Sequence, residues 1–265
     1  MTEENFAVPT MAEMMATGQS PEVLFWVGCS GSFDDRAKRI TKAFVKILNR
    51  ANVSFAVLGT EESCTGDPAK RAGNEFLFQM QAMANIEVLN AYEVKKIVTA
   101  CPHCFNTIKN EYPELGGNYE VVHHTQFLKS LLDEGRLTIE GGQFKGKKIT
   151  FHDPCYLGRA NNVYEAPREL IEKLDAELVE MKRSRRNGLC CGAGGAQMFK
   201  EPERGAKDIN VERTEEALST GASTIAVACP FCMTMMSDGV KNKDRETDVQ
   251  VKDLAELIVE AKGLK

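Results

Sequence analysis

The chain has 265 residues, 43% of them hydrophobic, and a formal net charge of −5. That length suffices for one large domain or two ordinary ones with a sizeable core. The acidic balance argues against nucleic acid as the main partner. No stretch reaches the ~18 consecutive apolar residues of a spanning helix. The opening MTEENFAVPTMAEMMATGQSPE lacks the basic start and apolar run of a secretion signal. The expectation is therefore an intracellular, soluble protein, in which nine cysteines point to metal binding or catalysis rather than to disulfides.

In chain order, MAEMMA is a short apolar segment, read as a frayed end or a partner contact. EVLFWVGC (22–29) is an apolar run ending in Cys29, as expected of a buried strand. Residues 34–51, DDRAKRITKAFVKILNRA, have helical period, and Cys64 follows in ESCTGDP. IVTACPHC (97–104) predicts a strand running into a helix opened by Cys101 and Cys104; YEVVHHTQFLKSLL (119–132) repeats that strand–helix plan. LLDEGRLTIEGGQFKGKK (131–148), with its Gly-Gly pair, reads as a linker. The second half then offers KKITFHDPC with Cys155, a helix over YEAPRELIEKLDAEL (164–178), GLCCGAGG with Cys190 and Cys191, IAVACPFC with Cys229 and Cys232, and finally VQVKDLAELIVEA.

The halves repeat. Thirty-four residues separate Cys29 from Cys64, and thirty-four separate Cys155 from Cys190. The offset is 126 from Cys29 to Cys155, 127 from Cys64 to Cys191, and 128 from Cys101 to Cys229 and from Cys104 to Cys232. Alternating strands and helices predict an α/β fold of two tandem Rossmann-like parallel-sheet units related by an internal repeat. The expected division is an N-terminal extension (1–21), a first repeat (22–145) and a second (146–265). Ligands of such sheets collect at the carboxyl ends of the strands, where each CxxC also opens a helix whose positive end favours thiolate. The sulfurs of each half can therefore converge.

Structural zinc competes for the first half, where four thiolates match its tetrahedral preference. It fits the second half worse, because five cysteines exceed four positions and adjacent Cys190 and Cys191 are awkward ligands for one small ion. An iron–sulfur cluster accepts thiolates from several directions. Buried free cysteines do not explain the regular spacing, and dithiol redox chemistry explains only one CxxC pair.

The run Cys155, Cys190-Cys191-Gly192, Cys229-Pro230-Phe231-Cys232 resembles the cysteine-rich CCG domain. That domain occurs in tandem in a subunit of heterodisulfide reductase and in iron–sulfur subunits of lactate, glycerol-3-phosphate and electron-transfer-flavoprotein oxidation systems. The resemblance spans about residues 22 to 260. It implies two [4Fe–4S] clusters. Cys155, Cys190, Cys191, Cys229 and Cys232 would hold a non-cubane one, with Cys190 and Cys191 at its reactive centre. Cys29, Cys64, Cys101 and Cys104 would hold the other, a cubane cluster with zinc as the alternative. The first repeat departs from the pattern at Ser63, which stands where the pair's first cysteine belongs and reads as a loop residue. The resemblance further implies an electron-transfer subunit of an oxidoreductase, linking a flavoprotein or ferredoxin-like partner to a quinone-facing membrane component. Its place would be the cytoplasm, or the inner face of the plasma membrane through partner subunits. A disulfide-cleaving reductase and a zinc-stabilised scaffold are the alternatives.

The remaining polar residues near these motifs are read mainly as structural. His103, inside CPHC, is expected to hydrogen-bond near the cluster or face solvent. His123, His124, His152 and Asp153 lie near strand ends, where packing and hydrogen bonding are the expected roles. KRSRRN (182–187) is a solvated basic face, with docking of an acidic partner as the alternative. GAGG (192–195) lacks the full dinucleotide fingerprint and is expected to bring backbone N–H groups close to sulfur.

Overall fold

The computed structural model describes residues 6–139, 142–201 and 205–261. Its strands are β1 (Val23–Trp26), β2 (Phe55–Ala56), β3 (Lys96–Thr99), β4 (Glu120–His123), β5 (Lys148–Phe151), β6 (Glu177–Leu178), β7 (Thr224–Val227) and β8 (Gln250–Asp253). They form two four-stranded sheets, ordered β2-β1-β3-β4 and β6-β5-β7-β8. Every pairing is parallel. The α/β architecture of two like units is thus as the repeat predicts.

Helices supply the crossovers that parallel strands require. They are α1 (Met11–Ala16), α2 (Gly28–Phe33), α3 (Asp35–Arg50), α4 (Asp67–Arg71), α5 (Glu75–Ala91), α6 (Pro102–Asn110), α7 (His124–Asp133), α8 (Glu165–Lys173), α9 (Ile209–Leu218), α10 (Pro230–Asn242) and α11 (Leu254–Ala261). β1 is buried at all four positions, as expected of a strand covered on both faces. α3 starts where the Asp34 side chain accepts the Ala37 N–H at 2.7 Å, and it buries Ile40, Phe44, Ile47 and Leu48. Pro102 and Pro230 occupy the first helical positions of α6 and α10, where a missing N–H costs nothing.

Two expectations are corrected. The helix expected over 164–178 ends at Lys173; Asp175, at φ +58°, turns the chain into β6. Pairing with β5 overrides the local helical preference of Ala176 and Glu177. MAEMMA is not frayed: Thr10 and Glu13 form a capping box, and Met11 and Met14 are buried in the core of the chain itself.

The units pack as one body. One apolar cluster runs from Phe25, Phe44 and Val98 through Ile149 and Phe151 to Leu254 and Ile258, and a second joins Ile40 to Ile225, Val227, Met233 and Met236. α3 packs on α11 and α7 on α8. Both guanidinium nitrogens of Arg36 on α3 bind the Glu256 carboxylate of α11, each at 2.7 Å. Among the described residues no helix is long and apolar enough to cross a membrane.

Candidate metal centres

Parallel register brings the two cysteine sets to the carboxyl edges of their sheets. Trp26 pairs with Thr99, so Cys29 and Cys101 leave neighbouring strand ends. Phe151 pairs with Ala226, which does the same for Cys155 and Cys229. All nine cysteines are free.

In the first unit, Cys29, Cys64, Cys101 and Cys104 line one cavity, closed on one side by Phe231 of the second unit. The Cys29 thiol donates to the Cys64 sulfur. That bond raises Cys29 and lowers Cys64 to about 6. Cys101 and Cys104 form the second interacting pair, and Cys104 is held neutral by that contact and by complete burial. Gly28 makes room: at φ +79°, a Cβ there would sit 3.3 Å from the Cys104 Sγ. The Glu62 carboxylate accepts the N–H groups of Val27 and Gly28 at 2.9 and 2.6 Å, fixing the turn that carries Cys29. Ser63 is exposed and does not line the cavity, as expected of a loop residue.

The second unit links its five sulfurs in a chain. Cys155 and Cys191 both hydrogen-bond to Cys190, whose thiolate is strongly favoured by those two bonds and by the N–H groups of Gly192 and Gly194. The Gly192 nitrogen lies 3.3 Å from the Cys190 Sγ, and Gly192 reaches that position at φ +95°. GAGG therefore does what its glycines suggested. Cys191 and Cys232 have sulfurs 3.3 Å apart, and Cys232 in turn contacts Cys229. Against the opposing effect of burial, Cys232 and His103 draw Cys229 down to about 5.

The histidines divide by role. His103 is 7% exposed; its Nδ1 lies 2.9 Å from the Asp67 Oδ2. His152 is buried and neutral, pushed down to about 3 by burial and by Arg213, whose Nε donates to the His152 Nδ1 at 3.0 Å. Because a guanidinium only donates, the His152 proton sits on Nε2. Among the described residues, only His152, Cys191 and Cys232 place three metal-capable atoms all within 4.8 Å of one another. His124 pairs with Asp253. Asp153 takes both terminal nitrogens of Arg168 at 2.9 and 3.0 Å and the Arg185 N–H at 2.7 Å. These last two are strand-end contacts, as expected.

In the basic run, Arg183 is paired to Glu212 and Glu216, and Arg185 to Glu165, so half of its four cations are spent within the chain. Sequence reasoning missed Glu62, Asp67, Arg168 and Arg213. Asp67 had a signal: it stands three residues after Cys64, where Gly194 stands after Cys191.

The donor sets fit soft-metal chemistry, since thiolate-rich sites select zinc or iron–sulfur clusters. In the first unit no three sulfurs lie within 4.8 Å of one another. A tetrahedral zinc with bonds of ~2.3 Å needs sulfurs ~3.8 Å apart. The wider spread fits a cluster better.

Comparison with known proteins agrees. Residues 23–109 and 149–237 each match the family described as "Cysteine-rich domain", CCG. The chain is 48% identical over 255 residues to the probable iron-sulfur-binding oxidoreductase FadF of Bacillus subtilis, covering 96% of this chain and 36% of that protein. It is 45% identical over 250 residues to the EtfAB:quinone oxidoreductase of Syntrophomonas wolfei, covering 92% and 35%. To one of the subunits of the dihydromethanophenazine:CoB–CoM heterodisulfide reductase of Methanosarcina barkeri it is 35% identical over 250 residues, covering 92% and 59%. The chain thus spans only about a third of the first two relatives.

Proposed function

This chain belongs to the cysteine-rich CCG-domain family, and from that premise we propose that it is the iron–sulfur electron-transfer part of an oxidoreductase. Cys29, Cys64, Cys101 and Cys104 hold a cubane [4Fe–4S] cluster in the first repeat, residues 22–145. Cys155, Cys190, Cys191, Cys229 and Cys232 hold a non-cubane [4Fe–4S] cluster in the second, residues 146–265. The observation that carries this is the unbroken chain of sulfur contacts from Cys155 through Cys190, Cys191 and Cys232 to Cys229. Five thiols exceed one tetrahedral ion and suit a cluster.

When bound, such clusters supply one-electron storage and transfer. The protein's share is to bind and tune. Cys190 and Cys191 form the reactive pair, with backbone N–H groups already aimed at Cys190. Partners are a flavoprotein, a ferredoxin-like module and a quinone-linked membrane component, a reading supported by the relative named an EtfAB:quinone oxidoreductase. Such partners would place this chain at the inner face of the plasma membrane.

Anaerobic purification followed by iron and sulfide analysis and EPR of the reduced protein tests the reading. About eight irons per chain with two distinct signals is the expected result. Zinc in place of iron would overturn it.

A further inference from the structure

The second of the two residues inside each CxxC motif crosses to the other unit. His103 lies between Cys101 and Cys104, yet its ring reaches the Cys229 sulfur of the second unit. Phe231 holds the matching place between Cys229 and Cys232, and it walls the cavity of Cys29, Cys64, Cys101 and Cys104. The two rings meet, with centroids 5.0 Å apart. Tyr156 covers the other side of His103 at 4.4 Å.

The exchange is chemically unequal. Phe231 brings the first site, whose lining also includes His103, an apolar wall with no donor. His103 brings the second site a nitrogen, and Asp67 orients it. The Asp67 carboxylate accepts from Nδ1 at 2.9 Å and is itself fixed by the Arg71 Nε at 3.1 Å. With Nδ1 taken by Asp67, Nε2 is the nitrogen left to face Cys229. A metal-bound thiolate has no proton and only accepts, so the nitrogen facing it carries hydrogen. Hydrogen bonds to thiolate sulfur raise a cluster's reduction potential, and an apolar, donor-free wall lowers it.

Resting on the two-cluster reading above, we propose that this exchanged pair sets the two potentials apart. His103, held by Asp67, is a positioning residue that raises the potential of the five-cysteine site. Phe231 keeps that of the four-cysteine site low. No bond forms or breaks and no proton moves; the residues act only on the thiolates' electron density.

The test is an EPR-monitored redox titration of the protein under anaerobic conditions, with signals assigned through Cys64→Ser and Cys190→Ser. His103→Phe is expected to lower the midpoint of the second signal by more than it moves the first, whose cavity His103 also lines. His103→Gln, which retains an N–H donor, is expected to restore part of the shift. Phe231→His is expected to raise the first midpoint. If His103→Phe loses iron, His103→Gln and Phe231→His carry the comparison. Full iron content with unmoved midpoints in these variants overturns the proposal while the cluster reading stands. Absence of iron from the unaltered protein overturns both.

Discussion

The Nε2 of His124 lies 3.0 Å from the Oδ1 of Asp253, and both side chains are fully buried. His124 follows the last residue of β4, and Asp253 is the last residue of β8. The pair therefore bolts the end of one sheet to the end of the other. Asp253 Oδ1 also accepts the Ala255 N–H at 2.9 Å, whereas its Oδ2 has no partner among the described residues. Removing the imidazole leaves a buried carboxylate short of donors. His124→Ala is expected to lose roughly 3–5 kcal/mol of unfolding free energy, the usual result of breaking a buried pair from one side. Replacing both residues by apolar ones of similar size is expected to cost much less. Urea unfolding of the three variants measures both; a single-mutant loss below about 1 kcal/mol would show that the bridge does not lock the units.

The neighbouring His123 makes folding sensitive to acid. Burial, and then the adjacent His124, hold its imidazole well below 6.5. The folded chain therefore refuses a proton that the unfolded chain accepts below pH 6.5. Protons bound by the unfolded state exceed those of the folded state there, so stability falls as pH drops. Below pH 6.5 the loss from this residue rises toward the one-proton limit of about 1.4 kcal/mol per pH unit. Unfolding curves of the parent and of His123→Asn should diverge in slope over that window, with the variant flatter. Parallel curves would mean that His123 charges in the native state.

Much of this architecture was legible because parallel sheets advertise themselves. Buried runs such as Val23–Trp26 and Thr224–Val227 reach a cysteine within three residues of their ends, and strand ends are where α/β folds gather function. The nine-cysteine repeat therefore gave both sulfur sets. What could not be read was anything that depends on how the two sheets sit against each other. The reach of His103 to Cys229 crosses units and joins residues 126 positions apart, and no local period encodes it. β6 was hidden for a different reason: Ala176-Glu177-Leu178 favours helix, and only pairing with Ile149 makes it a strand.

Gly28 tests how tightly the first site is built. Its φ of +79° favours glycine, and an added Cβ would stand 3.3 Å from the Cys104 sulfur. Left-handed backbone costs other residues about 1–2 kcal/mol. Gly28→Ala also threatens the 2.6 Å bond from the Gly28 N–H to Glu62. The expected outcome is a modestly destabilised protein whose iron loss is confined to the four-cysteine signal. Separate integration of the two EPR signals decides it; equal loss from both would show that the strain spreads beyond the turn.

Cys190 carries the strongest asymmetry between the repeats. Its thiolate accepts from Cys155, Cys191 and two backbone N–H groups, whereas its counterpart in the first repeat, Ser63, is exposed and does not line the four-cysteine cavity. A serine at 190 keeps the size of the side chain and removes the soft sulfur donor that iron–sulfur sites require. Cys190→Ser is therefore expected to remove roughly half of the bound iron, abolish the second EPR signal and leave the first intact. Ser63→Ala, the matching change in the first repeat, is expected to alter neither iron content nor either signal. The two variants form one experiment, because the same position of the repeat is changed in each. A Cys190→Ser protein with full iron and an unaltered spectrum would contradict the five-sulfur site. A Ser63→Ala protein that lost the first signal would instead place a serine oxygen among the ligands of the four-cysteine centre.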